Sequence, residues 1–147
     1  MPEDTYIIAA TERLFDHTGF SRAGMDKLVA AAGVSSRTLY KRIGNKAALI
    51  EAVLRARDAR FFEASRPQSI DGLFDALQDW IDKEGARGCL FLRAASEMGD
   101  DDSNVAEIMR RHKARTRMLI GDLLAAEAKT NIGKLILKAP ADKVKTL

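Results

Sequence analysis

A short basic segment, residues 35–46 with the sequence SSRTLYKRIGNK, carries four cationic side chains and no acidic one. Such cations suit nucleic acids, because Arg can hydrogen-bond both acceptors of a guanine edge and Lys can pair with phosphates. Within the same segment Leu39 and Ile43 lie four residues apart, the spacing of one helical face. The segment therefore predicts a helix that packs on a core with one face. Its cationic face is either simply solvated or meets DNA, and the short turn before this helix, described below, favours DNA.

A helical wheel of about 100° per residue separates these two faces. With Leu39 pointing inward, Arg37 and Lys41 project together from the opposite side, one turn apart. We expect these two residues to read base edges in the major groove, and Tyr40 and Lys46 to bind backbone phosphates. The residues predicted to bind DNA are Ser35, Ser36, Arg37, Thr38, Tyr40, Lys41, Arg42 and Lys46.

The distribution of charge also places this element in the first half of the chain. The 147 residues carry a net charge of +3. Residues 1–66 hold eleven Lys and Arg against eight Asp and Glu, whereas residues 67–147 hold thirteen of each kind. An excess of positive charge confined to one region favours a polyanionic partner for that region.

Residues suited to catalysis or metal binding do not form a recognisable set in the sequence. Cys89 is the only cysteine, which excludes an intrachain disulfide and a multi-cysteine metal site, and we expect it to be a buried core thiol. A nucleophile needs an adjacent base, and neither His17 nor His112 is near Cys89 in sequence. The acidic run at 99–103 favours a helix start over a metal site. We predict no catalytic residue, cofactor or metal ion, and therefore no enzyme.

Apolar periodicity predicts an all-α chain whose first helices position the basic segment. The helices expected in this half span residues 5–15, 25–32, 35–43 and 46–65. Gly19 suits the left-handed conformation that closes the first helix, and Ser35 and Asn45 are expected N-caps. Only the residues AGVS, 32–35, join the second helix to the third, and so short a connection predicts a helix-turn-helix.

Three further amphipathic helices are expected after Pro67, over residues 70–84, 88–98 and 105–128. Their apolar side chains could line a ligand cavity with His112 as its polar member. Stripes of this kind also arise from ordinary core packing, and that alternative stays open. The residues assigned to the cavity are Phe74, Leu77, Trp80, Phe91, Leu92, Met98, Met109, His112 and Met118.

Residues 7–54 resemble the N-terminal DNA-binding domain of the TetR family of bacterial transcriptional repressors. The resemblance implies an all-helical homodimer that binds a palindromic operator and releases it when a small molecule enters the C-terminal body. The stretch GCLFLRAASEM, 88–98, resembles one common in those bodies. The matching elements are Leu14-Phe15, Gly19-Phe20, Met25, Ala32-Gly33-Val34-Ser35, Thr38-Leu39-Tyr40, and Asn45-Lys46 with Leu49.

The sequence departs from the family pattern at three places in the helix-turn-helix. Ala23 and Gly24 stand where the family often has Thr and Ser, which removes a helix cap and a possible phosphate contact. Arg37 replaces a frequent Gly, and Arg42-Ile43 replaces His or Tyr followed by Phe. Because two of these departures add positive charge at the groove, we expect Arg37 and Arg42 to carry the specificity of this chain.

We divide the chain into a helix-turn-helix domain, residues 1–50, and an effector-binding and dimerisation body, residues 51–147, with 128–147 as an atypical tail. Up to Glu127 the chain uses fourteen Arg and five Lys, and after it five Lys and no Arg. This switch suggests a segment of different origin; the alternative is a Lys-rich helix or a disordered tail. The family builds its dimer interface from two helices after the long one, so we expect a short or truncated body or a different dimer.

The predicted function is a transcriptional repressor that binds double-stranded DNA as a homodimer and is released by a small apolar or amphipathic effector. The sequence has no uncharged apolar stretch of about 18 residues and no signal-peptide pattern at its start, so we expect a cytoplasmic protein without a membrane partner. The alternative is a helix-turn-helix DNA-binding protein without effector control.

Overall fold

The computed structural model describes residues 2–64 and 66–138. Every regular element in these ranges is a helix and none is a strand, which confirms the all-α prediction. No helix of the described ranges combines the length and the apolar character needed to cross a membrane. The helices are α1 (Pro2–Thr18), α2 (Met25–Ala32), α3 (Ser36–Arg42), α4 (Lys46–Ala64), α5 (Ile70–Glu84), α6 (Leu90–Met98) and α7 (Ser103–Lys138).

Local signals fix the ends of the short helices. The Ser35 hydroxyl accepts a hydrogen bond from the Thr38 backbone N–H at 3.1 Å, so Ser35 is the N-cap of α3 as predicted. Gly33 closes α2 with a φ of 66°, a left-handed conformation that Gly adopts without steric cost. Gly24 caps the start of α2 without a side-chain hydrogen bond, as expected from its departure from the family pattern.

The first three helices enclose a core against the start of α4. Leu39 on α3 is 1% exposed and joins the buried Leu28 of α2 and Leu49 of α4. The rings of Phe15 and Phe20 stack beside them with centroids 4.9 Å apart. Burial of side chains of this size contributes about 1.5–3 kcal/mol each, so this core holds the short α3 in place.

The remaining helices form a body around the second half of α4. Helix α7 packs against α4, α5 and α6, and Phe91 and Val105 extend the same buried core. Helix α4 runs without a break through residue 50, so one rigid element links the helix-turn-helix to the body.

Helix α7 is longer than the sequence pattern predicted. It begins at Ser103, where the Asp102 carboxylate accepts the Asn104 backbone N–H at 2.9 Å, and it continues ten residues beyond the predicted end at 128. The change from Arg to Lys did not end the helix, because the two residues have similar helix propensity. Gly133 costs only about 1 kcal/mol in a helix interior. The rest of the predicted tail, residues 139–147, lies outside the described residues.

Charged residues join α1 to the body, and we call this set the ionic seam. Asp16 pairs with Arg93 of α6 at 2.9 Å and with Arg87 at 3.2 Å. Glu12 pairs with two arginines of α4, Arg57 at 2.8 Å and Arg60 at 2.7 Å. The seam connects the helix-turn-helix to the body by directional contacts in addition to the shared apolar core.

The ionic seam reaches α5, and its centre at Glu12 and Arg57 is shielded from water. Glu84 at the end of α5 accepts from Arg60 Nε at 3.0 Å. Burial opposes the charge of Arg60, but hydrogen bonds to Glu12 and Glu84 outweigh it and raise the pKa of Arg60 above its ordinary value. Glu12 and Arg57 are each 5% exposed, so each compensates the buried charge of the other.

Candidate functional site

The outer face of α3 presents the two cations predicted to read DNA. Arg37 and Lys41 are exposed, whereas Leu39 on the opposite face is buried. Tyr40 beside them is 50% exposed. The structure therefore places the basic and the apolar faces of this helix as the 100° wheel required.

A shallow groove runs between the exposed face of α3 and the start of α1. Its lining includes Arg37, Thr38 and Lys41 together with Glu3, an acidic residue that the sequence analysis had not placed near the site. The hydroxyl groups of Ser35 and Thr38 lie 2.9 Å apart. Since Ser35 also caps α3, these two hydroxyls support the helix in the free protein.

Arg42 also lines this groove, but its guanidinium is already paired. It donates to Asp4 of α1 at 3.0 Å and forms an ion pair with Glu3. Arg42 therefore ties the end of the recognition helix to the first turn of α1 in the free protein. The two acids lie 38 and 39 residues away in sequence, so helical periodicity could not reveal them.

Lys46 is the first residue of α4 and is partly buried. This burial lowers the pKa of its ammonium group, and the Glu97 carboxylate opposes the shift without cancelling it. Asn45 caps the same helix by accepting the Ala48 backbone N–H at 2.9 Å, which confirms the predicted cap. Ser36 is exposed at the first position of α3.

A second candidate site is a cavity of about 440 Å³ among α4, α5, α6 and α7. Four residues predicted for a ligand site line it together: Leu77, Trp80, Phe91 and His112. The lining residues that the sequence analysis missed are Arg57, Phe61, Ile81, Gly85, Ala86, Gly88, Cys89, Leu90, Lys113 and Thr116.

Five residues assigned to the cavity do not line it. Phe74, Leu92 and Met118 are 65%, 50% and 67% exposed, and Met98 and Met109 pack against the main core. In α5 the neighbouring Leu73 takes the buried position, which turns Phe74 toward solvent. The apolar pattern of these helices did not distinguish core, cavity and surface.

Cys89 lines the cavity and is half-buried, so the expectation of a fully buried thiol was wrong. It occupies the N-cap position of α6, at the end of a loop, and not the interior of a helix. Its Sγ accepts a hydrogen bond from Lys113 Nζ at 3.4 Å.

His112 is held in one orientation by its neighbours. Its ring stacks on Phe91 with centroids 3.7 Å apart, and its Nδ1 lies 2.7 Å from Asp58 Oδ1. Burial lowers the pKa of His112 below its usual range, and the opposing effect of the Asp58 carboxylate is smaller. The imidazole is therefore neutral at pH 7, and the contact with Asp58 requires its Nδ1 to carry the proton.

Comparisons with known proteins find matches in the region of the chain that contains the exposed basic helix α3. Residues 7–53 match the model of the family described as bacterial regulatory proteins, tetR family. A DNA-binding transcriptional repressor TetR from Mycobacteroides abscessus is 40% identical over 55 residues, which cover 37% of this chain and 29% of that relative. The chain thus matches less than a third of the relative's length, and no solved structure matches it. Over residues 7–53 the chain is therefore similar to the tetR family of bacterial regulatory proteins.

Proposed function

We propose that this chain is a transcriptional repressor that binds a palindromic DNA operator as a homodimer in the cytoplasm. The observation that carries the proposal is the position of Arg37 and Lys41, both exposed on the face of α3 opposite the buried Leu39. A helix held in this way can enter the major groove, where a guanidinium distinguishes guanine from the other bases. The match to a repressor over the same region supports the direction of regulation.

Within this proposal the residues predicted to bind DNA divide into two groups. Arg37 and Lys41 contact base edges, whereas Ser36, Tyr40 and Lys46 contact phosphates beside the groove. Ser35 and Thr38 support the helix and can add contacts to the same phosphates. Arg42 contributes only when it leaves the carboxylates of Glu3 and Asp4.

A single short helix reads too few base pairs for an operator, so the proposal requires two copies of the chain. Dimers of this type place their recognition helices about 34 Å apart, in successive major grooves. We assign the dimer contact to one face of α7, the α7 stripe, because exposed apolar side chains at helical spacing usually mark a contact surface. The α7 stripe consists of Met118, Leu124, Ile132, Leu135 and Ile136, whose side chains are 41–72% exposed.

Control by a small molecule rests on the cavity. Arg57 and Trp80 line it, and Arg57 also belongs to the ionic seam with α1. A molecule that fills the cavity can therefore shift α1 relative to α4 and change the separation of the two recognition helices. This coupling makes release of the operator the expected response.

Selection of bound sequences from random double-stranded DNA tests the proposal. We expect an inverted repeat with half-sites about 10 base pairs apart, centre to centre. Arg37→Ala should change the preferred bases, whereas Arg110→Ala, a charge-matched control on α7, should leave them unchanged. Recovery of unrelated sequences by the wild-type chain, together with binding that does not weaken as salt rises, would exclude this function.

A further inference from the structure

We propose that the cavity takes an anionic amphiphile, a molecule with an apolar body and a carboxylate head. The inference deepens the proposed function, because it rests on the cavity being the effector site. It names the class of ligand and the residues that recognise its charge, Arg57 and Lys113.

The walls of the cavity are apolar, and its charged residues have one sign. Phe61, Leu77, Trp80 and Phe91 supply surfaces for an apolar body. The volume of about 440 Å³ lies in the range of roughly 300–1,000 Å³ that is usual for small-molecule sites. Among the described residues, those that line the cavity include two cations and no Asp or Glu. This arrangement favours a negative ligand and opposes a positive one.

Lys113 is the first of the two cations. It is exposed beside the cavity, and its Nζ donates to the Cys89 thiol at 3.4 Å. A sulfur atom is a weak acceptor, whereas a carboxylate forms a charge-assisted hydrogen bond with an ammonium group. A ligand carboxylate would therefore replace a weak contact of Lys113 with a strong one.

Arg57 is the second cation, and it links the ligand to α1. The side chain is buried, and its Nη1 donates to Glu12 at 2.8 Å. A guanidinium has five N–H donors, so it can also serve an acceptor on the cavity side. A carboxylate there would compete with Glu12 for Arg57 while keeping the buried guanidinium paired. If Arg57 exchanges Glu12 for the ligand carboxylate, its buried charge remains paired, and the large free-energy cost of an unpaired buried charge is avoided.

The other polar groups of the cavity leave recognition of the carboxylate to the two cations. Thr116 lines the cavity, but its hydroxyl donates to the His112 carbonyl at 2.9 Å, so it offers no free donor to a carboxylate. His112 is neutral, and Asp58, its hydrogen-bond partner, is not one of the residues that line the cavity. The positive groups that face the ligand are thus not neutralised by a carboxylate of the cavity wall.

Trp80 provides a direct measurement of binding, because it is the only tryptophan of the chain and it lines the cavity. Its fluorescence should be titrated at pH 7.5 with decanoate, decanol and decylamine, which share one apolar chain and differ in charge. We expect decanoate to bind at least about tenfold more tightly than decanol, because of the charge-assisted contacts, and decylamine to bind most weakly. Equal affinities, or tighter binding of decylamine, would overturn the inference.

Two substitutions test the residues. Lys113→Met should remove most of the preference for decanoate over decanol and leave the affinity for decanol unchanged. Lys83→Met is the matched control, because Lys83 is exposed on α5 and lies outside the lining of this cavity. Glu12→Gln should strengthen decanoate binding several-fold by removing the nearest carboxylate partner of Arg57, without affecting decanol. The assignment of Lys113 is wrong if both Met variants respond alike, and that of Arg57 is wrong if Glu12→Gln has no effect on decanoate.

Binding to selected DNA, measured separately, distinguishes the failure of this inference from that of the proposed function. Decanoate that binds at Trp80 without releasing DNA would support the ligand class and argue against effector control. Sequence-specific DNA binding without any preference for the carboxylate would overturn the ligand class and leave the repressor function in place.

Discussion

Arg42 of the recognition helix and Asp4 of α1 are joined by an ion pair of 3.0 Å, and Glu3 pairs with the same guanidinium. Arg42 and Glu3 line the groove assigned to DNA, together with Lys41 and Arg37. The Arg42 side chain is 26% exposed, and ion pairs this accessible contribute at most about 1 kcal/mol. The phosphate backbone can therefore compete with the two carboxylates for Arg42.

Removal of both acids should strengthen DNA binding. In the variant Glu3→Gln with Asp4→Asn we expect higher affinity for the selected operator and a slope of log K against log salt that is steeper by about 0.9 for each half-site, because each Arg42 then neutralises one more phosphate. Fluorescence anisotropy at several salt concentrations measures both quantities. The same change made with Arg42→Ala is the control. A gain of equal size there would show that the acids act by general repulsion of DNA.

Arg37 and Lys46 are both proposed to bind DNA, but loss of the first should change base preference and loss of the second only the affinity. Arg37→Ala should relax the preference at one position of each half-site and cost about 1–3 kcal/mol on the selected operator. Lys46→Ala should weaken all sequences alike and reduce the salt slope by about 0.9 for each half-site. Competition binding against operators with single base changes separates the two patterns. A Lys46→Ala variant with altered base preference would contradict its assignment to phosphate.

Substitution of the two neighbouring serines at the start of α3 should reduce the stability of the protein by unequal amounts. Ser35→Ala removes the hydroxyl that accepts the Thr38 backbone N–H, and we expect a loss of about 1 kcal/mol in the free energy of unfolding. Ser36→Ala, at an exposed position one residue later, should cost less than about 0.5 kcal/mol. Urea unfolding followed by circular dichroism measures both. Equal losses would mean that the cap does not determine the start of α3.

His112 should make the stability of the protein depend on pH. Burial lowers its pKa in the folded state, so the unfolded chain, with an ordinary His pKa of about 6.5, takes up the proton first. The free energy of unfolding should therefore fall as pH decreases through 6.5, until the folded state is protonated as well. Thermal melts of wild type and His112→Phe between pH 8 and 5 measure the effect. A decline of the same size in the variant would assign it to other groups.

The α7 stripe should determine the oligomeric state. Leu124→Lys with Ile132→Lys places two charges on this stripe, and we expect the dimer to dissociate, because unpaired charges buried at an interface are costly. Thr130→Lys on another face of the same helix is the control for added charge and should remain dimeric. Sedimentation velocity measures the result. A wild-type chain that remains monomeric at micromolar concentration would exclude this interface.

Local signals in the sequence were sufficient for most of the fold. The caps at Ser35 and Asn45 and the opposite faces of Leu39 and Arg37 depend only on residues within one or two helical turns. Such relations are set by chain geometry and by backbone groups that need partners, so they can be predicted from residue type and spacing.

Contacts between distant residues were not predictable in the same way. The pair Arg57–Glu12 spans 45 residues and the pair His112–Asp58 spans 54, and both depend on how the helices pack. Periodicity marks an apolar face but does not show whether that face meets a core, a cavity or solvent. For this reason two residues predicted for one cavity differ in position: Trp80 lines the cavity, whereas Phe74 is exposed to solvent.

The ionic seam also determines how α1 can move. Several of its groups pair with more than one partner: Arg60 pairs with Glu12 and Glu84, and Asp16 pairs with Arg87 and Arg93. A purely apolar contact would expose surface to water at every small rotation. Shared ion pairs allow α1 to tilt by trading one oxygen for another while each charge stays compensated. The joint can thus act as a pivot that turns in small steps without detaching, and added salt would loosen this pivot as well as the grip on DNA.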